Sequence, residues 1–174
     1  MSHAHRPNPA PATAPPSLDA SRFTSPNRRR LSGPAMRTFI AIADLWALSQ
    51  NERLLLLGLP SPSTYYGWVK AAREGDAFTL PTDTLLRISA VLGIHKALRI
   101  LFATDVEGLR WLRDPHAALP FGGQPPIALA LGGTQDGLML VRRFLDAARG
   151  GLFMAPNATD DRSSALSDED IVFV

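Results

Sequence analysis

The sequence has no cysteine, which excludes both a disulfide framework and thiol chemistry. It also has no apolar run near the roughly 18 residues that a membrane-spanning helix needs. Its longest apolar-rich stretch, residues 39–48, is short and carries Asp44, and the mean hydropathy is +0.00. Catalytic signatures are missing too: there is no GxSxG, HExxH, CxxC or GxxxxGKS/T. The histidines are His3 and His5 near the start, and His95 and His116, each isolated. The first pair lacks a supporting shell for a metal, and His95 reads as a packing or capping residue. Arg28, Arg29 and Arg30 do not open a twin-arginine export signal, because Gly33, Pro34 and Arg37 interrupt the region that would have to be apolar. The expectation is a cytoplasmic protein that is not an enzyme, with no cofactor, no metal and no membrane partner.

What is present is charge set apart by position. Residues 1–40 hold six arginines against Asp19 alone, whereas residues 152–174 hold Arg162 against Asp160, Asp161, Asp168, Glu169 and Asp170. Such asymmetry marks interaction segments. Residues 1–32, rich in Pro, Ala and Ser, bury too little apolar surface to offset their ordering entropy and are expected to be a disordered basic arm. Arg28–Arg30 within it suit either phosphate tracking by charge or a solvated linker. Residues 152–174 read as an acidic tail ending in the apolar Ile171-Val172-Phe173-Val174.

Between these ends the hydrophobic period is helical throughout. A first helix is expected from Pro34, capped by Ser32 or Gly33, with Met36, Phe39, Ile40, Ala43, Trp46 and Ala47 on one face. Ser49 and Glu52 have the spacing of a capping box, opening a helix that stops at Gly58. After the turn at Leu59-Pro60-Ser61, a third helix turns Tyr65, Trp68, Val69 and Ala72 inward and ends near Gly75. A capped short helix, a tight turn and a helix with a small, hydroxylic and basic outer face make a helix-turn-helix. Its candidate DNA-binding residues are Ser61, Ser63, Thr64, Gly67, Lys70 and Arg73, with the hydroxyls reaching bases or phosphates and Lys70 and Arg73 neutralising phosphates. A fourth helix is expected over residues 81–92, stopped by Gly93, and a fifth over 95–102.

Residues 105–151 form a smaller helical unit. It has a short helix carrying Leu109, Trp111 and Leu112, a break at Asp114-Pro115, and a Phe121-Gly122-Gly123 loop. Pro125-Pro126 opens a short helix, and a last helix capped by Thr134 has Leu138, Val141, Leu145 and Ala148 buried. The unit carries no chemistry of its own and has too little apolar surface to stand alone, as expected of a docking element. The fold class is all-α: a helix-turn-helix domain over 33–104, then this unit over 105–151.

The ordered series of Trp46, LSQNERLLLLGLPSPSTYYGWVK, LPTDTLLRISAVLGIHKALRILF and WLRDPHAALPFGGQPPIALALGG resembles the Xre/MbcA/ParS antitoxin family, partners of RES-domain toxins in type II toxin–antitoxin systems. The resemblance covers about two-thirds of the chain, residues 36–151. It implies an Xre-like domain for dimerisation and operator binding, and a C-terminal toxin-binding domain that covers the pocket where the toxin binds and degrades NAD. On that mapping Trp111 and Leu112 build the inner face, and Pro115, Phe121, Gly122 and Pro126 shape the loop. Arg142, Arg143, Asp146 and Arg149, followed by Gly150 and Gly151, present the toxin contact. Trp111 and Phe121 read more readily as core than as contacts, and the glycines read equally as turns. The implied partners are a RES-domain toxin encoded by the adjacent gene, operator DNA and a second copy of the chain. The long arm and the acidic tail depart from the family pattern, and with the tail present either Arg149-Gly150-Gly151 or residues 152–174 are candidates to fill the pocket. The alternative is a stand-alone helix-turn-helix transcriptional regulator whose C-terminal unit serves for dimerisation or ligand sensing.

Overall fold

The computed structural model describes residues 20–150, with the side chain of residue 22 excepted. The arm up to residue 19, the acidic tail and Gly151 lie outside the described residues. Within them the chain is all-helical: after a single 3-10 turn at Ser21–Phe23 come α1 (Ser25–Leu45), α2 (Gln50–Leu56), α3 (Pro62–Glu74), α4 (Thr82–Leu101), α5 (Asp105–Arg113), α6 (Pro126–Ala130) and α7 (Gln135–Arg149), with no strand.

Helix α1 starts earlier than expected. The first-turn proline is Pro26, and Pro34 lies inside the helix. Residues 25–32 are therefore helical, which corrects the disordered reading for that part of the arm. The cause is tertiary. Ser32, fully buried, accepts from the Leu80 N–H at 2.8 Å and donates to the Arg28 carbonyl at 2.7 Å, while Arg28 Nη1 donates to the Leu80 carbonyl at 3.0 Å. Both backbone groups of the buried Leu80 are thus satisfied by α1 side chains, as a buried extended segment requires. Pro34 is exposed, so water can take up the carbonyl that its missing N–H leaves without a partner. The buried face is Met36, Phe39, Ile42, Ala43 and Trp46; Ala47, expected on it, is exposed and left-handed with φ 50° just past the helix end.

Helix α4 is one continuous helix, not two. Gly93 does not stop it, because α7 crosses there: a Cβ on residue 93 would collide with the Arg142 guanidinium. Arg142 Nη1 donates to the Ser89 carbonyl at 2.9 Å. The glycine serves close approach rather than termination. Helix α4 packs on α1, α2, α5 and α7 and buries Ile88, Ala90, Val91, Ile94, Ala97 and Leu98 between them. A single cluster of buried apolar side chains runs from Met36 on α1 to Leu145 on α7, without a break at residue 104.

His95, on α4, faces the Trp46 ring at 6.4 Å between centroids. Burial pushes its imidazole below the ordinary value; Asp105 opposes the shift and Arg99 adds to it.

Two outcomes follow. Alanine at residue 93 should gain about 1 kcal/mol of helix propensity but displace the Arg142 head. In a double-mutant cycle read by denaturant unfolding, G93A should therefore stabilise an R142A background and fail to stabilise the wild type. For His95 the unfolded chain takes up a proton near the ordinary value of 6.5, before the folded chain does. Stability should fall as pH drops below that value and level off once the folded form is also protonated. The His95→Gln variant should show a flatter pH dependence over that window.

Candidate functional site

Two surfaces carry the candidate residues. The first is built by α2 and α3. In the α2 cap, the Ser49 N–H donates to Glu52 Oε2 at 2.7 Å and the Glu52 N–H to Ser49 Oγ at 3.4 Å, so the capping box read from the sequence is formed. Burial works to raise the Glu52 carboxyl, but hydrogen bonds from the Ser49 backbone and hydroxyl, with Arg113 nearby, outweigh it and hold the group below its ordinary value. The turn that follows places Gly58 at φ 86° and Leu59 at φ 59°, both left-handed, which reverses the chain within a few residues. The Leu59 N–H closes it by donating to the Leu54 carbonyl at 2.7 Å.

Ser61 then caps α3, its Oγ accepting from the Thr64 N–H at 3.2 Å and lying 3.0 Å from Ser63 Oγ and 2.8 Å from Thr64 Oγ1. The helix buries Tyr65, Val69 and Ala72 and ends at Gly75, φ 81°. Ser61, Ser63, Thr64, Gly67, Lys70 and Arg73 are all exposed on its outer side. Tyr66 joins them, half-exposed, its hydroxyl donating to Gln50 Oε1 at 2.7 Å and so bracing α3 against α2. It was missed in the sequence, although its place one turn before Lys70 on the helix could have found it.

The second surface is the unit of α5, α6 and α7. Thr104 and Glu107 form a further capping box at 3.1 and 3.2 Å, and α5 ends at Asp114, whose extended backbone (ψ 151°) suits the Pro115 that follows. The loop after it closes on itself: the His116 N–H donates to the Gln124 carbonyl at 3.3 Å, and the Gly123 N–H to that of His116 at 3.1 Å. Gly122 and Gly123 take φ 55° and 82°. The closure gathers four rings. Phe121 lies edge-on to Phe144 at 4.9 Å and to His116 at 5.1 Å, and Trp111 stacks on Phe144 at 6.0 Å and meets His116 at 5.4 Å. Phe121 and Pro126 are buried, so they are core residues that shape the loop from beneath; Trp111 is half-buried, and Pro115 and Gly122 are exposed. Trp111, His116 and Pro115 line a groove of about 400 Å³ together with Phe102, Glu107, Arg110 and Asp114. His116 and Phe144, which sequence reasoning left out of the site, are the rings that hold it together.

The charged candidates on α7 do not join that groove. Arg142 and Phe144, two residues apart, point to opposite flanks of the helix. Arg142 is held toward α4 by Ser89 and pairs with Asp146 at 3.4 Å. Asp146 also pairs with Arg149 at 3.4 Å. Arg143 is exposed, and Gly150, in ordinary helical backbone (φ −76°), ends α7. The loop residues and the α7 charges are therefore two faces. Among the described residues no group of three or more His, Asp or Glu could hold a metal ion, and no helix is long and apolar enough to cross a membrane.

Comparison with known proteins places this unit. Residues 97–151 match the antitoxin Xre/MbcA/ParS C-terminal toxin-binding domain; the match begins in the last turns of α4 and takes in α5, α6 and α7. The chain is also 40% identical over 131 residues to the uncharacterized protein y4oB of Sinorhizobium fredii (strain NBRC 101917 / NGR234), an alignment covering 75% of this chain and 96% of that protein.

Replacing Phe121 by alanine should cost about 3–5 kcal/mol, the usual penalty for emptying a buried aromatic position. It should lower the melting temperature and shift Trp111 emission to the red. Leu119→Ala, in the same loop but 98% exposed, should change stability by no more than about 0.5 kcal/mol.

Proposed function

Because the chain belongs to the Xre/MbcA/ParS antitoxin family, we propose that it is a cytoplasmic antitoxin that neutralises a RES-domain toxin encoded by the adjacent gene. In this reading residues 105–151 cover the pocket in which the toxin binds and degrades NAD, and a homodimer of the helix-turn-helix part represses the operon by binding its operator. The observation that carries the reading is the family match over residues 97–151, which coincides with a unit whose exposed features are a groove and a charged helix face. Support for the DNA half is the outer face of α3, where six residues suited to bases and phosphates are exposed together. The chemistry belongs to the partner; this chain contributes shape and charge.

Co-expression with the neighbouring gene's product should rescue growth, restore cellular NAD and give a complex that survives gel filtration. Arg110 and Arg143 are exposed and form no ion pair among the described residues. They stand on the two candidate faces, so R110E and R143E separate them. The variant on the toxin-facing side should weaken the complex at least about tenfold, 1.4 kcal/mol, with an unchanged melting temperature. A neighbour that is not toxic, or a complex that does not form, would leave operator binding by a stand-alone regulator as the reading to pursue.

A further inference from the structure

The arginines ahead of the helix-turn-helix lie on an ordered helix that touches α3. Arg28 is occupied internally by Leu80 and Phe23. Arg30 is exposed and has no ion pair or hydrogen bond among the described residues. Seven residues on, two turns along the same face, stands Arg37, also exposed, whose Nη1 donates to the Ala72 carbonyl in the last turn of α3 at 3.2 Å. That single bond leaves the rest of the guanidinium open to solvent and fixes its place beside the basic end of α3. Ala72 directly precedes Arg73, and both Arg73 and Lys70 are exposed without ion pairs. Two turns further along the α1 stripe comes Asp44, and its charge is taken up by Arg53 at 2.7 Å. Glu74 and Asp76 are the exposed carboxylates near this end of α3.

We propose that Arg30 and Arg37 on α1, with Lys70 and Arg73 on α3, form one continuous surface that binds the phosphate backbone of duplex DNA. The inference rests on the DNA-binding reading of α3 and extends the interface beyond the helix-turn-helix to a helix outside it. Arginine suits the task because its fork of donors matches phosphate oxygens, and a guanidinium already held by one bond has less freedom to lose on binding. Contacts of this kind set affinity and orientation but read no sequence.

The test uses the full chain and a random-sequence 30-base-pair duplex, with binding followed by fluorescence anisotropy over a series of salt concentrations. Each phosphate contact contributes a slope of about −0.9 in log K against log salt. Arg30→Gln should make the slope shallower by about one unit and the R30Q/R37Q double variant by about two, with unchanged helical circular dichroism. R37K, which keeps the charge, should restore most of the Arg37 contribution. Arg29, exposed but about 80° around the helix from the stripe, is the control. An effect of Arg29→Gln equal to that of R30Q would overturn the ordered stripe in favour of generic charge. Wild-type binding with slopes unchanged in R30Q and R37Q would overturn the inference while leaving α3 as a DNA reader; no wild-type binding to this duplex or to the chain's own upstream DNA would overturn both.

Discussion

The crossing of α7 over α4 at Gly93 is the contact on which the arrangement of the two surfaces depends. An unbranched backbone at that position lets the Arg142 guanidinium lie flat against α4 and reach the Ser89 carbonyl. Leu138, Val141 and Leu145 pack beneath it. A side chain at residue 93 would displace the Arg142 head and its bond to Ser89; the same helix α7 carries the Phe144 ring that organises the aromatic loop. Helix α4 accordingly serves both parts of the chain. Its first turns support the α2–α3 turn through Thr84, whose hydroxyl donates to the Leu57 carbonyl at 3.4 Å, and its later turns carry α5 and α7.

Arg87 makes the same connection from the α4 side. It is 9% exposed, and such burial of a charge is unfavourable unless the charge is paired and its donors used. Here Asp83 accepts from Nε at 2.7 Å and the Gly133 carbonyl accepts from Nη1 at 3.2 Å. The side chain also lies directly under Gly58, where an added Cβ would come within 2.9 Å of Nε. One side chain thus touches the turn before α3 and the residue just ahead of the α7 cap. The small positive-φ glycine at 58 is required twice, once for the reversal and once for the room that Arg87 occupies.

Where local chemistry decides the structure, the sequence was enough to read it. The Ser49–Glu52 box, the limits of α3 at Ser61 and Gly75, the Asp114-Pro115 break and the Thr134 cap are all determined by residues within a few positions of one another. The misreadings share a cause. Gly33-Pro34 and Gly93 have the local look of helix boundaries, but partners far along the chain, Leu80 and Arg142, carry the helices through them. At the candidate site, Trp111 and Phe121 stood out as isolated aromatics in a short unit. His116 and Phe144 did not, because only folding brings a loop histidine and a helix phenylalanine against the same two rings.

The arginines show why charge read from the sequence overstates the surface offered to partners. Five of them reach distant backbone carbonyls: Arg28 to Leu80, Arg37 to Ala72, Arg87 to Gly133, Arg113 to Trp46 and Arg142 to Ser89, over separations of 35 to 67 residues. Two of these carbonyls, Ala72 and Trp46, lie at helix C-terminal ends, which lack helical partners and where a guanidinium meets the negative end of the helix dipole; Leu80 and Gly133 lie outside the helices and Ser89 within α4. In a chain with no cysteine, these bonds tie together elements distant in sequence, and each uses donors that a partner would otherwise take. What is left outward without a bond among the described residues is a smaller set: Arg29, Arg30, Lys70 and Arg73 toward one end, Lys96 on α4, and Arg110 and Arg143 on the C-terminal unit. Arg37 belongs to both groups, bonded on one nitrogen and open on the others, and it is there that the internal scaffold and the outward surface meet.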